Sequence, residues 1–319
     1  MKLSFMSGNN MKQFQIQSDG SIKLVLTDIP TPKENELLIK VSSIGINRAD
    51  ILQREGLYPA PNGDNVPGLE IAGIIEGTNR KVCALLESGG YSEYVCAKKS
   101  QVIFLEEDFD LIQAAALPEA LTTVWMALFD CGRIKANKNI LIHGGSSGIG
   151  SFAIQAAASL GCKVFTSTSN ENKFDFCRKL GASFCFNYTT NNFSALIKEN
   201  GGTDIIVDIL GGKYLQENIK SLNKYGKLIS LAVMDGSEAK INMGAVLMKN
   251  LNIIGTTLRS KPENIKETYI QNVKDILMPF VYSKKITPII DSIYKFEEVE
   301  IAHNKIKSRT HKGKIILKL

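Results

Sequence analysis

Residues 139–160 constrain the fold most, because they join a short apolar run, a glycine-rich turn and a helical pattern. The run Ile140–Ile142 is too short for a helix, and residues 143–150 are rich in glycine. Apolar residues then recur at the spacing of one helix face as far as Leu160. A strand, a glycine-rich turn and a helix open a dinucleotide-binding unit, in which the helix N-terminus offers free N–H groups to a pyrophosphate.

The glycine pattern of this turn is incomplete. In the register G-x-G-x-x-G, the three positions are Gly145, Ser147 and Gly150, so a serine replaces the central glycine. Taken alone, the turn is also compatible with an ordinary strand-to-helix loop. The surrounding pattern favours the nucleotide-binding interpretation.

Short β-branched or aromatic runs alternate with helical patterns after residue 139, which predicts a parallel, doubly wound sheet. The predicted strands are 139–143, 162–167, 183–187, 204–209, 227–232 and 252–257, and the predicted helices are 148–160, 170–180, 192–199, 213–223 and 243–249. Before residue 111 the chain is predicted to be mostly β. Residues 263–283 are predicted to be helical, and residues 286–319 to complete the first β domain as strand, helix and strand.

Composition narrows the class of protein. The 319 residues carry a net charge of +6 and six cysteines without C-x-x-C spacing, which favours reduced core cysteines and a cytoplasmic protein. No apolar run approaches the roughly 18 residues of a membrane span, and no convincing signal peptide is seen. Met11 offers an alternative start, which would leave residues 1–10 as a disordered tail. Basic residues are dispersed, so nucleic-acid binding is not favoured, although residues 305–318 are locally basic.

The second predicted strand of the sheet indicates which dinucleotide is bound. An NAD site usually has an acid at the end of this strand, but residues 163–170 contain none. Ser167, Thr168 and Lys173 instead suit a 2′-phosphate, which favours NADPH over NADH, with Glu171 as the counter-argument. Gly211 follows another strand at a position where ligands bind, and it is equally compatible with a simple turn.

The substrate end lacks an evident metal site. The three histidines are His143, His303 and His311, none of which lies in the first 140 residues, and there is no four-cysteine cluster. We therefore expect metal-free hydride transfer to an electrophilic conjugated acceptor. Asn47 and Tyr58 are candidate hydrogen-bond donors to its carbonyl oxygen, although the residues alone favour an Asn turn and a core-edge tyrosine.

Four segments closely resemble zinc-independent quinone oxidoreductases, which are medium-chain dehydrogenases/reductases of the zeta-crystallin type. They are Val41–Tyr58, Val66–Gly73, Ala115–Thr123 and His143–Gly150. The subgroup of greatest similarity is that of the tumour-suppressor-inducible quinone oxidoreductases. The resemblance implies an α/β protein, with a GroES-like, β-rich catalytic domain (1–127 and 266–319) split around a Rossmann domain (128–265). It also implies a homodimer paired through residues 252–258.

The resemblance further implies NADPH and a set of site residues. The pyrophosphate would lie on Ser147, Gly148, Ile149 and Gly150, and Gly145 and Ser146 of the same turn are further expected cofactor-binding residues. Lys173 and Tyr188 would meet the 2′-phosphate end, and Thr123, Gly211, Leu258 and Ser260 would lie near the nicotinamide. Asn47 and Tyr58 match positions of the substrate pocket.

The expected function is NADPH-dependent reduction of a quinone, by hydride or by single electrons. One alternative is an NADPH-dependent reductase of enals, enones or enoyl thioesters. A second alternative is an NADPH-binding protein that interacts with RNA or protein, for which the basic segment at residues 305–318 is the only local support.

Overall fold

The computed structural model describes residues 10–190 and 192–319. The predicted tail at residues 1–10 lies outside the described residues except for Asn10, which begins the first strand. The chain forms two compact units, of which the first runs to Glu119 and resumes at Ile290–Leu319, and the second is Ala120–Ile289. This division assigns residues 120–127 and 266–289 to the second unit, whereas the sequence prediction assigned them to the catalytic domain, and the domain boundaries stay a prediction.

The first unit is built on a seven-stranded sheet and a separate hairpin. Its strands are β1 (Asn10–Ile16), β2 (Ile22–Asp28), β3 (Glu36–Ile46), β4 (Glu70–Ile75), β5 (Lys81–Leu85), β6 (Tyr94–Lys98), β7 (Val102–Phe104), β14 (Ile290–Lys295) and β15 (Lys314–Lys318). The sheet order is β14-β15-β3-β4-β5-β7, with β6 also paired to β3. Only the β14–β15 pair is parallel among the pairs of this sheet.

Helices and a tight backbone crossing complete the first unit. Its helices are α1 (Arg48–Arg54), α2 (Leu111–Ala114) and α11 (Val299–Lys307), while α3 (Pro118–Val124) begins in this unit. Gly45 in β3 has no room for a side chain, since a Cβ there would lie 2.2 Å from the carbonyl oxygen of Ala115. The absence of a side chain lets the chain around α2 pack directly on the sheet.

The second unit is a six-stranded parallel sheet in the order β10-β9-β8-β11-β12-β13. Its strands are β8 (Asn139–His143), β9 (Lys163–Thr168), β10 (Phe184–Asn187), β11 (Thr203–Asp208), β12 (Leu222–Ser230) and β13 (Asn252–Gly255). Its helices are α4 (Gly148–Ser159), α5 (Phe174–Lys179), α6 (Phe193–Glu199), α7 (Leu215–Ser221), α8 (Met243–Lys249), α9 (Glu263–Asn272) and α10 (Met278–Tyr282). The predicted fold class is confirmed.

A ladder of apolar side chains holds this parallel sheet together. Phe165, Leu141, Ile206 and Leu228 are paired in register on four neighbouring strands, and each is at most 1% exposed. Full burial of such a side chain contributes about 1.5–3 kcal/mol. The sequence pattern followed these strands closely, but it missed the early start of β12 and the π-helical stretches Trp125–Cys131 and Val273–Leu277.

Among the described residues, we find no helix that is both long enough and apolar enough to span a membrane.

A buried histidine packs against a buried tyrosine in the core of the first unit. His303 Nε2 lies 2.9 Å from the hydroxyl of Tyr91, which also lies 3.3 Å from Asp50 Oδ2. The Tyr91 hydroxyl has a single proton to donate to the Asp50 carboxylate, so it accepts from His303. Burial, reinforced by the charge of Arg54, lowers the pKa of His303 to about 4.

We predict that this histidine makes the fold sensitive to mild acid. Its pKa is about 4 when folded and about 6.5 when unfolded, so its stabilising effect is full above pH 6.5 and is lost as the pH falls. Urea unfolding at pH 7 and pH 5 should show a loss of free energy of unfolding that is about 2 kcal/mol larger for the native protein than for His303→Gln. Equal losses of the free energy of unfolding in both proteins would contradict the lowered pKa of His303.

Candidate active site

Four neighbouring parallel strands of the second unit end along one edge of the sheet. β10, β9, β8 and β11 end at Asn187, Thr168, His143 and Asp208. The strand order reverses between β8 and β11, and ligands of open α/β sheets bind at such a reversal, outside the carboxyl ends of the strands. The loops that follow these strands therefore form the candidate nucleotide site.

The glycine-rich turn after β8 is wound too tightly for side chains at two predicted positions. A Cβ on Gly145 would lie 2.0 Å from Thr166 Oγ1, and a Cβ on Gly150 would lie 2.2 Å from the carbonyl oxygen of Gly144. Both glycines therefore let the turn close against β9 and bring the first turn of α4 down onto it.

Ser147 caps the helix that follows the turn. Its backbone is extended, and its hydroxyl oxygen accepts a hydrogen bond of 3.0 Å from the N–H of Gly150. Serine is among the preferred N-cap residues, which explains why it replaces the central glycine of the motif. The next two N–H groups, on Gly148 and Ile149, have no acceptor within the described part of the protein. These groups and the helix dipole offer a site for an anion.

A buried chain of hydrogen bonds crosses the sheet directly beneath this turn. The Ser167 hydroxyl lies 2.7 Å from His143 Nδ1, and His143 Nε2 lies 2.7 Å from the amide oxygen of Asn218. The amide nitrogen of Asn218 donates to Asp208 Oδ2 at 3.2 Å. All four residues are at most 1% exposed. We refer to these four residues as the polar chain.

The direction of every bond in the polar chain is fixed. A carboxylate only accepts, so the NH₂ group of Asn218 faces Asp208 and its oxygen faces His143. His143 therefore carries its proton on Nε2 and accepts the Ser167 hydroxyl proton on Nδ1. Burial lowers the pKa of His143, which favours this neutral form.

The polar chain ends by holding the turn after β11. Asp208 Oδ1 accepts the N–H groups of Leu210 at 2.7 Å and Gly211 at 3.2 Å. Gly211 has φ +65° and Gly212 has φ +47°, a backbone region that disfavours other residues. A Cβ on Gly212 would also lie 2.4 Å from the carbonyl oxygen of Asp235. The predicted position Gly211 is thus fixed by a buried carboxylate.

The hydroxyls predicted for the phosphate end are used within the protein. Ser167 is fully buried and bonded to His143, and Thr168 Oγ1 donates to the carbonyl oxygen of Asn170 at 2.8 Å. Lys173 and Tyr188, each 8% exposed, follow the ends of β9 and β10. Lys173 is the lysine that follows the end of β9 and could face a phosphate there. Glu171, which the sequence offered as the counter-argument, is exposed.

Three predicted nicotinamide residues lie on other elements of the second unit. Thr123 is buried in α3, Leu258 is buried after β13, and the Ser260 hydroxyl lies 2.7 Å from that of Thr257. No hydrogen bond among the described residues joins these three to the glycine-rich turn, and their role stays a prediction. Ser146 and Ile149 lie in the turn and in the first turn of α4, as predicted from the motif.

Asn47, in the first unit, has its side-chain amide engaged on both sides. Nδ2 donates to Glu70 Oε1 at 2.8 Å and to the carbonyl oxygen of Gly45 at 3.3 Å, and Oδ1 accepts from Lys314 Nζ at 2.7 Å. Lys314 Nζ also lies 2.5 Å from Glu70 Oε1 in an almost completely buried ion pair. Asn47 can donate to a substrate only by releasing one of these bonds, and the longer bond is that to Gly45.

The remaining contacts of this cluster explain how Asn47 is held. Glu70 Oε2 accepts the N–H of Glu119 at 2.9 Å, so both oxygens of its carboxylate are occupied. Asn47 immediately precedes α1, and its N–H donates to Asp50 Oδ2 at 2.8 Å. Tyr58 is half-buried in the turn after α1, where its N–H donates to the carbonyl oxygen of Leu52.

Sequence reasoning missed the residues that hold these predicted positions. Glu70 was noted only as part of the matching segment Val66–Gly73, and Lys314 only as part of the predicted C-terminal strand and the basic segment 305–318. Within residues 10–190 and 192–319, no three His, Cys, Asp or Glu side chains are grouped so that they could hold a metal ion. Metal-free chemistry stays a prediction.

We predict that cutting the polar chain at Asn218 destabilises the second unit. Asn218→Leu leaves the His143 Nε2–H group and one oxygen of Asp208 buried without a partner, which should cost about 2–4 kcal/mol of the free energy of unfolding in urea. Ser221→Ala, on the same helix, is the matched control, since its hydroxyl bonds only to its own helix. Similar losses for the two variants would show that the chain contributes little.

Comparison with known proteins gives the family of this chain. A family model of the alcohol dehydrogenase GroES-like domain matches residues 33–107, and one described as a zinc-binding dehydrogenase matches residues 148–275. Quinone oxidoreductases from Rattus norvegicus and Sus scrofa are 31% and 32% identical over 306 residues, which cover 91% of this chain and 91% of each relative.

Solved structures agree with these sequence matches. A quinone oxidoreductase from Thermus thermophilus, studied alone and in complex with NADPH, superposes with a TM-score of 0.87 and 26% identity, and the match covers 97% of this chain and 100% of that one. The predicted family is confirmed, while the subgroup stays a prediction. The chain therefore belongs to the quinone oxidoreductase family of the medium-chain dehydrogenases/reductases.

Proposed function

We propose that the protein is an NADPH-dependent oxidoreductase that reduces a quinone without a metal ion. The observation that carries the proposal is the capped start of α4 beside a tight glycine turn at the strand-order reversal, where the N–H groups of Gly148 and Ile149 have no acceptor among the described residues. The names of its relatives, which are quinone oxidoreductases, support the choice of substrate class.

The residues present fit both the pyrophosphate and the 2′-phosphate of NADPH. The N–H groups at the start of α4 suit a pyrophosphate. Lys173 and Tyr188 suit the 2′-phosphate, since residues 163–170 contain no carboxylate that would repel it. When bound, the reduced nicotinamide supplies a hydride. The protein's contribution is to fix the cofactor through the glycine turn, and to fix the Gly211 turn through Asp208.

Asn47 and Tyr58 are the proposed substrate residues. The buried pair of Lys314 and Glu70 holds the Asn47 amide in one orientation, so a carbonyl oxygen that replaces Gly45 as acceptor would meet a preset donor. A preset donor stabilises charge on that oxygen without reorganisation during the reaction. Tyr58, half-buried and near the same helix, would supply a second contact.

The charges of the basic C-terminal segment support a small-molecule partner over a nucleic acid. Lys307 Nζ lies 2.8 Å from Glu55, Lys305 Nζ lies 3.9 Å from Asp291, and Lys314 is buried against Glu70. Carboxylates thus offset several of the charges on which an RNA-binding role would depend. All six cysteines are free thiols, which supports the proposal of a cytoplasmic location.

We also propose a homodimer paired through β13. Among the described residues, this strand ends the sheet and pairs with β12 alone, and Ile253 on it is 42% exposed. Leu247 and Met248 on the neighbouring helix α8 are 71% and 77% exposed, so a second copy would cover both the open edge and these side chains.

Light scattering should give twice the chain mass, and Leu247→Lys with Met248→Lys should give the monomer mass.

The substrate class is tested by comparing two acceptors. We expect the purified protein to consume NADPH with 9,10-phenanthrenequinone, and to do so much more slowly with trans-2-hexenal at equal concentration. The absorbance of NADPH follows both reactions, with NADH run in parallel. Turnover of the enal alone would favour the alkene reductase, and inactivity with a panel of quinones would exclude the proposed activity.

The cofactor choice is tested at Lys173. Lys173→Ala removes a charged contact to the 2′-phosphate, so the KM for NADPH should rise about 10- to 100-fold while the KM for NADH changes little. Lys179→Ala is the matched control, since Lys179 is exposed at the end of α5. Equal losses for both cofactors would mean that the 2′-phosphate is held elsewhere.

A further inference from the structure

Two cysteines of the second unit lie on neighbouring elements at the edge of the parallel sheet. Cys177 lies in α5 and Cys185 lies in β10, the outermost strand on that side. The Cys185 thiol donates to the carbonyl oxygen of Phe174 at 3.6 Å, and a hydrogen bond with the Cys177 side chain lowers the pKa of Cys185. The Cys177 thiol is therefore the donor to the sulfur of Cys185.

The backbone between these cysteines makes a tight return. The N–H groups of Leu180 and Ala182 both donate to the carbonyl oxygen of Cys177, at 3.2 and 3.1 Å. Gly181 between them has φ +109°, which suits glycine. The helix and the strand are thus joined by a short turn whose backbone is fixed by hydrogen bonds.

Cys185 differs chemically from three cysteines elsewhere in the chain. The hydrogen bond from Cys177 lowers the pKa of Cys185, and it outweighs the effect of burial. Burial instead raises the pKa of Cys96, Cys131 and Cys162. The thiolate is the reactive form of cysteine, and Cys185 is half-buried where Cys177 is fully buried. Cys185 is thus suited to react first, with Cys177 as the resolving thiol.

We propose that Cys177 and Cys185 form a reversible disulfide under peroxide, and that the oxidised protein binds NADPH less tightly. The thiolate of Cys185 attacks one peroxide oxygen and breaks the O–O bond, which gives a sulfenic acid and, after protonation, water. The sulfur of Cys177 then attacks the sulfenic sulfur, and its proton leaves with the hydroxide as a second water. The two thiols supply the two electrons that reduce the peroxide.

The coupling to NADPH rests on the function proposed above. Oxidation removes the Cys185 thiol proton and hence its bond to Phe174, the residue that follows Lys173. The new bond also links α5, which follows Lys173, to β10, the strand after which Tyr188 lies. Both changes act on the two residues proposed for the 2′-phosphate.

Mass spectrometry tests the disulfide directly. The protein is treated with hydrogen peroxide, the remaining thiols are blocked with N-ethylmaleimide, and the peptides are compared before and after reduction. We expect a cross-link between Cys177 and Cys185, its loss in Cys185→Ser, and its retention in Cys131→Ser. Sulfinic acid at Cys185 without a cross-link, or preferential oxidation of Cys96 or Cys131, would overturn the proposal.

Fluorescence titration of the reduced and oxidised proteins tests the coupling. We expect the oxidised protein to bind NADPH at least about fivefold more weakly, with a smaller change for NADH and full recovery after dithiothreitol. Equal NADPH affinities of the two forms would overturn the coupling. Failure of both forms to bind NADPH would overturn the proposed function and the coupling with it, whereas the cross-link is judged by mass alone.

Discussion

The buried polar chain from Ser167 to Asp208 is the interaction on which the candidate nucleotide site depends. It links the ends of β9, β8 and β11 to helix α7, with each bond between 2.7 and 3.2 Å. In the low dielectric of a core, such bonds are strong when all are made and costly when one is missing. The loops of the candidate nucleotide site are therefore positioned by groups that no ligand needs to touch.

In the first unit, a buried network that includes charged groups positions the candidate substrate residue in the same way. Asn47 is held by Lys314 and Glu70, and Glu70 in turn holds the N–H of Glu119. Removal of one partner from a buried ion pair costs about 3–5 kcal/mol, because the other charge is left without compensation. The proposed substrate contact is thus rigid, and a rigid donor is the kind that contributes most to stabilising developing charge.

The sequence predicted the elements of this fold better than it predicted their contacts. Parallel strands are buried on both faces, so β8 and β11 appear as short apolar runs and were found within one or two residues. Contacts between distant residues leave no such trace, since Lys314 and Glu70 are 244 residues apart. Ser167 shows the limit most clearly, because a hydroxyl at a strand end looks the same in the sequence whether it faces a phosphate or His143. Asn47 was named as a candidate donor and matched to a substrate-pocket position through family resemblance, while the carboxylate and ammonium that fix it were not predicted.

Because the direction of each bond in the polar chain is fixed, the hydrogen bonds beside the candidate nucleotide site cannot reverse independently. Reversal of one bond would turn the amide oxygen of Asn218 toward the carboxylate of Asp208, so no single bond can reverse by itself. The four groups must change together or not at all. The Gly211 turn is bonded to the carboxylate at the end of this chain, so its position depends on a hydrogen-bond network that has one direction only.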